Sequence, residues 1–183
     1  MMLSRTNSSY SYQGFTLIEL IIVIILISVL SVSVFTRFSG TSGFSEYTFQ
    51  ARLISSLRNM QTRAMHDNRT GYCFQINLNK TVAAFGPPSL DYISNTPSTV
   101  AATCSSDIDF SNPDYLTTSA SEMSDENVSL SSIPEFDFIS FDSLGRPIDG
   151  NGLLTCESTC NITITGESAV SVCIEPQGYI HGC

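Results

Sequence analysis

Gly14-Phe15-Thr16-Leu17-Ile18-Glu19-Leu20, followed by a nearly unbroken apolar run to Phe38, is the stretch on which the reading of this chain turns. Secretory signal peptides place a small-residue cleavage site after their apolar stretch. Here a polar leader, Met1 to Gly14 with Arg5 as its only charge, ends before the apolar run begins. Leu20 to Thr36 holds no charge, and counted from Phe15 the run reaches the length a bilayer-spanning helix needs, about 20 residues. Ser28, Ser31 and Ser33 interrupt it, with hydroxyls that bond back to helix carbonyls or let neighbouring helices approach. Glu19 is the informative residue. A carboxylate costs ~2.5–3.5 kcal/mol at the bilayer centre and less near the interface, so Glu19 is expected to have a partner.

This junction resembles the prepilin peptidase recognition motif of type IV pilins and type II secretion pseudopilins, with Gly14 before the cut, Phe15 after it and Glu19 at the fifth mature position. The resemblance implies cleavage between Gly14 and Phe15 and N-methylation of Phe15. It also implies that Glu19 meets the charged amino terminus of an adjacent subunit, which sets the axial register. The implied partners are prepilin peptidase, other pilin subunits of the same filament, the inner-membrane assembly platform, and the lipid bilayer before assembly. Thr36 stands where many members of the family carry a proline, which removes the sequence basis for a kink there.

Charge is divided along the chain. Residues 1–80 carry seven Lys/Arg against three Asp/Glu, and residues 81–183 carry one against fourteen. An acidic head repels phosphate backbones, so no nucleic acid is expected as a partner. All six cysteines, Cys73, Cys104, Cys156, Cys160, Cys173 and Cys183, lie beyond the apolar block, and an even count fits oxidation outside the cytoplasm. The expected localisation is a single pass in the bacterial inner membrane with a periplasmic head, then a pilus or pseudopilus. Sequence leaves the pairing open. Proximity suggests Cys156 with Cys160, Cys173 with Cys183, and Cys73 with Cys104. The spacings match no standard zinc pattern, so neither a metal nor a cofactor is expected.

After Ser39 to Gly43, apolar residues recur near helical spacing at Tyr47, Leu53, Ile54, Leu57, Met60 and Ala64, predicting a second helix that ends near Asp67 to Gly71. Arg52, Arg58, Arg63 and Arg69 lie along it and read as a solvated face. Tyr72–Leu78 and Thr81–Phe85 around Asn79-Lys80 have the form of a hairpin. From Pro87 to about Asn127 the polar composition reads as long loops with one or two short strands. Strands are predicted at Val128–Ile133, Phe136–Phe141, Asn161–Thr165 and Ala169–Ile174. The chain thus divides into a leader (1–14), a hydrophobic transmembrane and assembly helix (15–38), an amphipathic stem helix (39–70) and a β-rich head (71–183).

Phe141-Asp142-Ser143-Leu144-Gly145-Arg146-Pro147, with the closing strands through Val172 to Ile180, resembles the GspH/FimT group of minor pilins. With the terminal cysteine it is similar in particular to minor prepilins of the mannose-sensitive haemagglutinin (MSHA) pilus system. The fold class implied is α+β and type IV pilin-like, a long N-terminal hydrophobic helix packed against a β-rich, disulfide-bearing head. The function implied is that of a minor subunit serving pilus assembly and adhesion. The alternatives are a pseudopilin of a type II secretion system and a DNA- or surface-binding minor pilin. An enzyme is not expected: His66 and His181 sit in no nucleophile or metal motif, and Asp142 before Gly145 is explained by turn hydrogen bonding. Asp142 with Asp149 forms no dense calcium-ligand motif. Tyr92 and Tyr115 are the aromatics that polar loops offer to a surface receptor.

Overall fold

Apolar side chains at Phe49, Leu53, Leu57, Met60 and Ala64 repeat every three or four residues, and this stripe organises the head. In the computed structural model they lie on one helix, α2 (Ser45–His66), and all five are buried. Burying side chains of this size contributes about 1.5–3 kcal/mol each for the larger ones. The structure describes residues 16–38, 44–67, 69, 71–90 and 102–183, with side chains in the first helix, α1 (Leu17–Phe38), through Ser31. The leader, Gly14, Phe15 and Tyr92 lie outside the described residues, as do the side chains of Ser33 and Thr36. The chain forms two compact units, Met1–Thr41 and Ser42–Cys183, so α2 and every strand share one unit.

The strands of that unit are β1 (Gln75–Asn79), β2 (Ala84–Gly86), β3 (Ser129–Ile133), β4 (Phe138–Phe141), β5 (Pro147–Ile148), β6 (Cys160–Thr165), β7 (Ala169–Ile174) and β8 (Ile180–Gly182). They make two antiparallel sheets, ordered β2-β1-β4-β5 and β3-β6-β7-β8. α2 packs on β1 and β4 of the first sheet and on β6, β7 and β8 of the second. In β6 and β7 the inward residues pair across the ladder, Ile162 with Val172 and Ile164 with Val170. A one-residue slip would turn this whole set outward, so the buried face fixes the register.

β1 is buried on both faces, which a simple hairpin reading does not anticipate. Ile76 and Leu78 join the apolar core, while Gln75 and Asn77 carry their amides under the loop that follows Ala102. Burying such amides is tolerable because each is hydrogen-bonded.

The predicted hairpin opens wider than two residues. Asn79 pairs with Ala84, and the Asn79 carboxamide oxygen accepts from the amides of Thr81 and Val82, both at 3.1 Å. This local side-chain bonding replaces the tight turn. Strands appear near all four predicted segments, with β7 at the predicted bounds. The polar stretch before Asn127 contains a short helix, α3 (Ala120–Asp125), where loops and strands are expected. Its start is held by a capping box, in which Ser119 and Glu122 satisfy each other's backbone amides, and Met123 is buried beneath it.

Candidate functional site

α1 opens at Thr16, whose hydroxyl accepts from the Glu19 amide at 3.3 Å and whose carbonyl accepts from the amides of Glu19 and Leu20. Glu19 therefore sits in the first helical turn, where a carboxylate meets the positive end of the helix dipole. The two described serines donate inward, Ser28 to the Ile24 carbonyl and Ser31 to the Ile27 carbonyl, each at 2.7 Å. Neither hydroxyl needs an outside partner, so both are compatible with apolar surroundings. Every large apolar side chain from Leu17 to Leu30 is exposed. Exposed apolar side chains of this kind are ones that lipid or other helices can cover. Among the described residues no helix is long and apolar enough to cross a membrane.

Residues 10–35 match the prokaryotic N-terminal methylation motif. This is a type IV prepilin-like motif, found on structural pilin subunits rather than on enzymes. It spans the sequence-predicted junction at Gly14 and Phe15 and includes Glu19. The prepilin motif implies processing by prepilin peptidase, assembly with other pilins, and passage from a membrane-anchored to a pilus-associated state. A helix at the N-terminus followed by a β-rich head with disulfides fits the α+β pilin-like class. No curated protein and no solved structure matches the chain.

The head is held by three disulfides, Cys73–Cys104, Cys156–Cys160 and Cys173–Cys183, which are the pairs that proximity along the chain suggests. The first anchors the loop after Ala102 to the start of β1, and the last ties the C-terminus to β7. The motif loop at Gly145 is a turn. Asp142 Oδ1 accepts from the amides of Leu144 and Arg146 at 2.9 and 2.8 Å, and its Oδ2 accepts from the Arg146 guanidinium at 2.8 Å. Asp149 likewise accepts from the amides of Asn151 and Leu153. Among the described residues no group of three or more His, Cys, Asp or Glu could hold a metal ion.

The arginines of α2 largely serve their own head. Arg52 pairs with Glu122 at 2.8 Å, and Arg58 donates to the Ile180 carbonyl at 2.7 Å. Arg69, expected on the helix, lies beyond its C-terminal end, where it pairs with Asp67 and lies over the Tyr72 ring. Tyr47 departs from its expected place in the apolar stripe. It is exposed, and with Phe44 and Tyr115 it lines a shallow cleft on the outer side of α2. The stripe begins one residue earlier, at Glu46, whose charge hides the pattern from a hydropathy reading.

Glu46 is fully buried, and its carboxylate accepts from the Ser168 amide at 2.8 Å in the loop between β6 and β7. That bond, then Glu46's own backbone amide, holds its carboxyl below the usual glutamate range against the opposing effect of burial, with the Ser45 hydroxyl assisting. A folded-state value below the unfolded one gives stability that is complete above the unfolded value and lost as pH falls through the folded one. Glu46→Gln is therefore expected to cost about 1–3 kcal/mol near neutral pH. In urea unfolding series on the two proteins, that deficit should shrink as pH falls below the ordinary glutamate value of about 4.3. A deficit that does not change with pH would mean that the charge on Glu46 contributes nothing.

Proposed function

We propose that this chain is a minor subunit of a type IV pilus of the MSHA kind. Prepilin peptidase cuts it after Gly14 and methylates Phe15, the bilayer holds the segment from Phe15 to Phe38 with the head in the periplasm, and the subunit then enters the filament through α1. The observation that carries this reading is the Gly14-Phe15 junction with Glu19 in the first turn of an apolar helix whose described side chains are uncovered. The resemblance of Phe141 to Pro147 and of the C-terminal strands to GspH/FimT-type minor pilins supports the minor role. The acidic head favours a pilus-assembly or surface-contact role over DNA binding.

In this mechanism Glu19 neutralises the methylated amine of a neighbour as both leave water, which gives a desolvated pair whose loss is costly. Glu19→Ala is expected to leave the protein in the membrane and to lower its amount in sheared filaments at least about tenfold. Quantitative immunoblotting of membrane and filament fractions reads this directly. Equal incorporation of the variant would remove Glu19 from the assembly step.

A further inference from the structure

Phe44, Tyr47 and Tyr115 bring three aromatic rings, 70%, 55% and 53% exposed, to one shallow cleft of about 510 Å³ on the outer side of α2. Between the rings the helix presents small side chains, among them Ala51 and Ser55, so the floor is open to an apolar occupant. The wall that carries Tyr115 is fixed to the helix. Leu116 beside it is fully buried, and its carbonyl accepts from the buried Ser56 hydroxyl of α2 at 2.8 Å. Glu122 of α3 holds Arg52 at 2.8 Å, and among the described residues that guanidinium is the one formal charge lining the cleft. Two segments distant in sequence are thus locked together with three rings in water, an arrangement that gains free energy when something apolar covers it.

The place of the cleft in the chain points to its cover. Only Ser39 to Gly43 lie between the end of α1 and Phe44, a tether of at most about 22 Å from Phe38 to Phe44 at full extension. When a bilayer holds α1, this tether keeps the first turns of α2 near the bilayer surface. Tyrosine, with an apolar ring and a hydroxyl tip, collects at that depth, where one side is apolar and the other wet. The acidic part of the head is a poorer face for lipid, because residues 81–183 carry one Lys/Arg against fourteen Asp/Glu. The lining of this cleft offers a cation instead, which suits lipid phosphate.

We propose that in the membrane-held precursor this cleft docks on the phospholipid surface, with Phe44, Tyr47 and Tyr115 in the headgroup layer. Docking rests on the reading that the bilayer holds Phe15 to Phe38, and the test separates the two. The chain has no tryptophan, so a single introduced one is its only such reporter. Full-length Leu30→Trp, Tyr47→Trp, Tyr115→Trp and Phe110→Trp are reconstituted into phosphatidylethanolamine–phosphatidylglycerol vesicles, with and without phosphatidylcholine brominated near the headgroup end of its acyl chains. Each replaces an exposed side chain, so the core is not disturbed. Leu30→Trp, Tyr47→Trp and Tyr115→Trp are expected to lose most of their emission to the brominated lipid, and Phe110→Trp to keep it. Adding Phe44→Ser to Tyr115→Trp is expected to restore much of the lost emission. Tyr115 decides the matter, because it lies far from the tether in sequence and meets lipid only if the whole cleft does. Quenching of Leu30→Trp without quenching of Tyr115→Trp overturns the docking and leaves the membrane reading standing. A blue-shifted but unquenched Tyr115→Trp, as cover by a second protein chain gives, overturns it too, as does equal quenching of Phe110→Trp. Absence of quenching in Leu30→Trp overturns the membrane reading itself, and the docking with it.

Discussion

Gly178→Ala is expected to destabilise the head by about 3 kcal/mol or more, the largest effect of a methyl added at any glycine among the described residues. Gly178 has φ +92°, and a Cβ built there would overlap the carbonyl oxygen of Gly145 and crowd Gln61 Nε2. Two turns distant in sequence meet at this point. Gln61 on α2 clamps both, donating to the Gly145 carbonyl at 2.7 Å and to the Gly178 carbonyl at 2.5 Å. The added methyl therefore strains the backbone and pushes a half-buried clamp apart, and backbone cannot yield as a flexible side chain would. Gly152→Ala is the control. Its φ is +78° but a Cβ meets nothing within 4 Å, so only strain of about 1–2 kcal/mol is expected. Urea unfolding followed by the near-ultraviolet tyrosine signal separates the two. Equal losses for both variants would mean that the Gly145 and Gly178 turns do not touch.

Much of the framework is legible where a local rule and the tertiary need agree. The apolar run after Gly14 stands out against a polar leader, and β6 and β7 alternate because one face is buried against the core. The cysteine pairs lie close enough along the chain for proximity to be informative. The glycine in the Asp142 to Pro147 turn marks the positive φ that Gly145 adopts. What stays hidden depends on distant contacts or on polar residues acting as core. Glu46 is buried because a loop more than a hundred residues away supplies its hydrogen bond. Gln75 and Asn77 read as the wet side of a strand until the loop after Ala102 covers them. β8 is too short to show a period, and its place is set by pairing with β7 and by Cys183. The start of α3 carried a usable signal, Ser119 three residues before Glu122, lost in a stretch rich in the same residue types. The clamp by Gln61 has no signature at all, since neither turn points to the other in sequence.

The second large effect concerns Gly14. A peptidase that cuts before an apolar helix must bring the scissile bond to its active site at the membrane surface, and a residue without a side chain permits the closest approach of the backbone. Gly14→Leu is expected to abolish processing rather than to slow it modestly. The chain would then keep its leader, and Phe15 would have no free amine to methylate or to meet the Glu19 carboxylate of a neighbour. Assembly through α1 would fail with it, while the disulfide-bearing head, a compact unit over Ser42–Cys183, would fold unchanged. The measurement that tests this most directly is the intact mass of the protein extracted from membranes of peptidase-positive and peptidase-negative cells, for wild type and Gly14→Leu. The predicted result is loss of residues 1–14 with one methyl group gained, seen only for wild type in the presence of the peptidase. An uncleaved wild-type chain in peptidase-positive cells would contradict the account and leave a membrane-anchored head in place of a pilin.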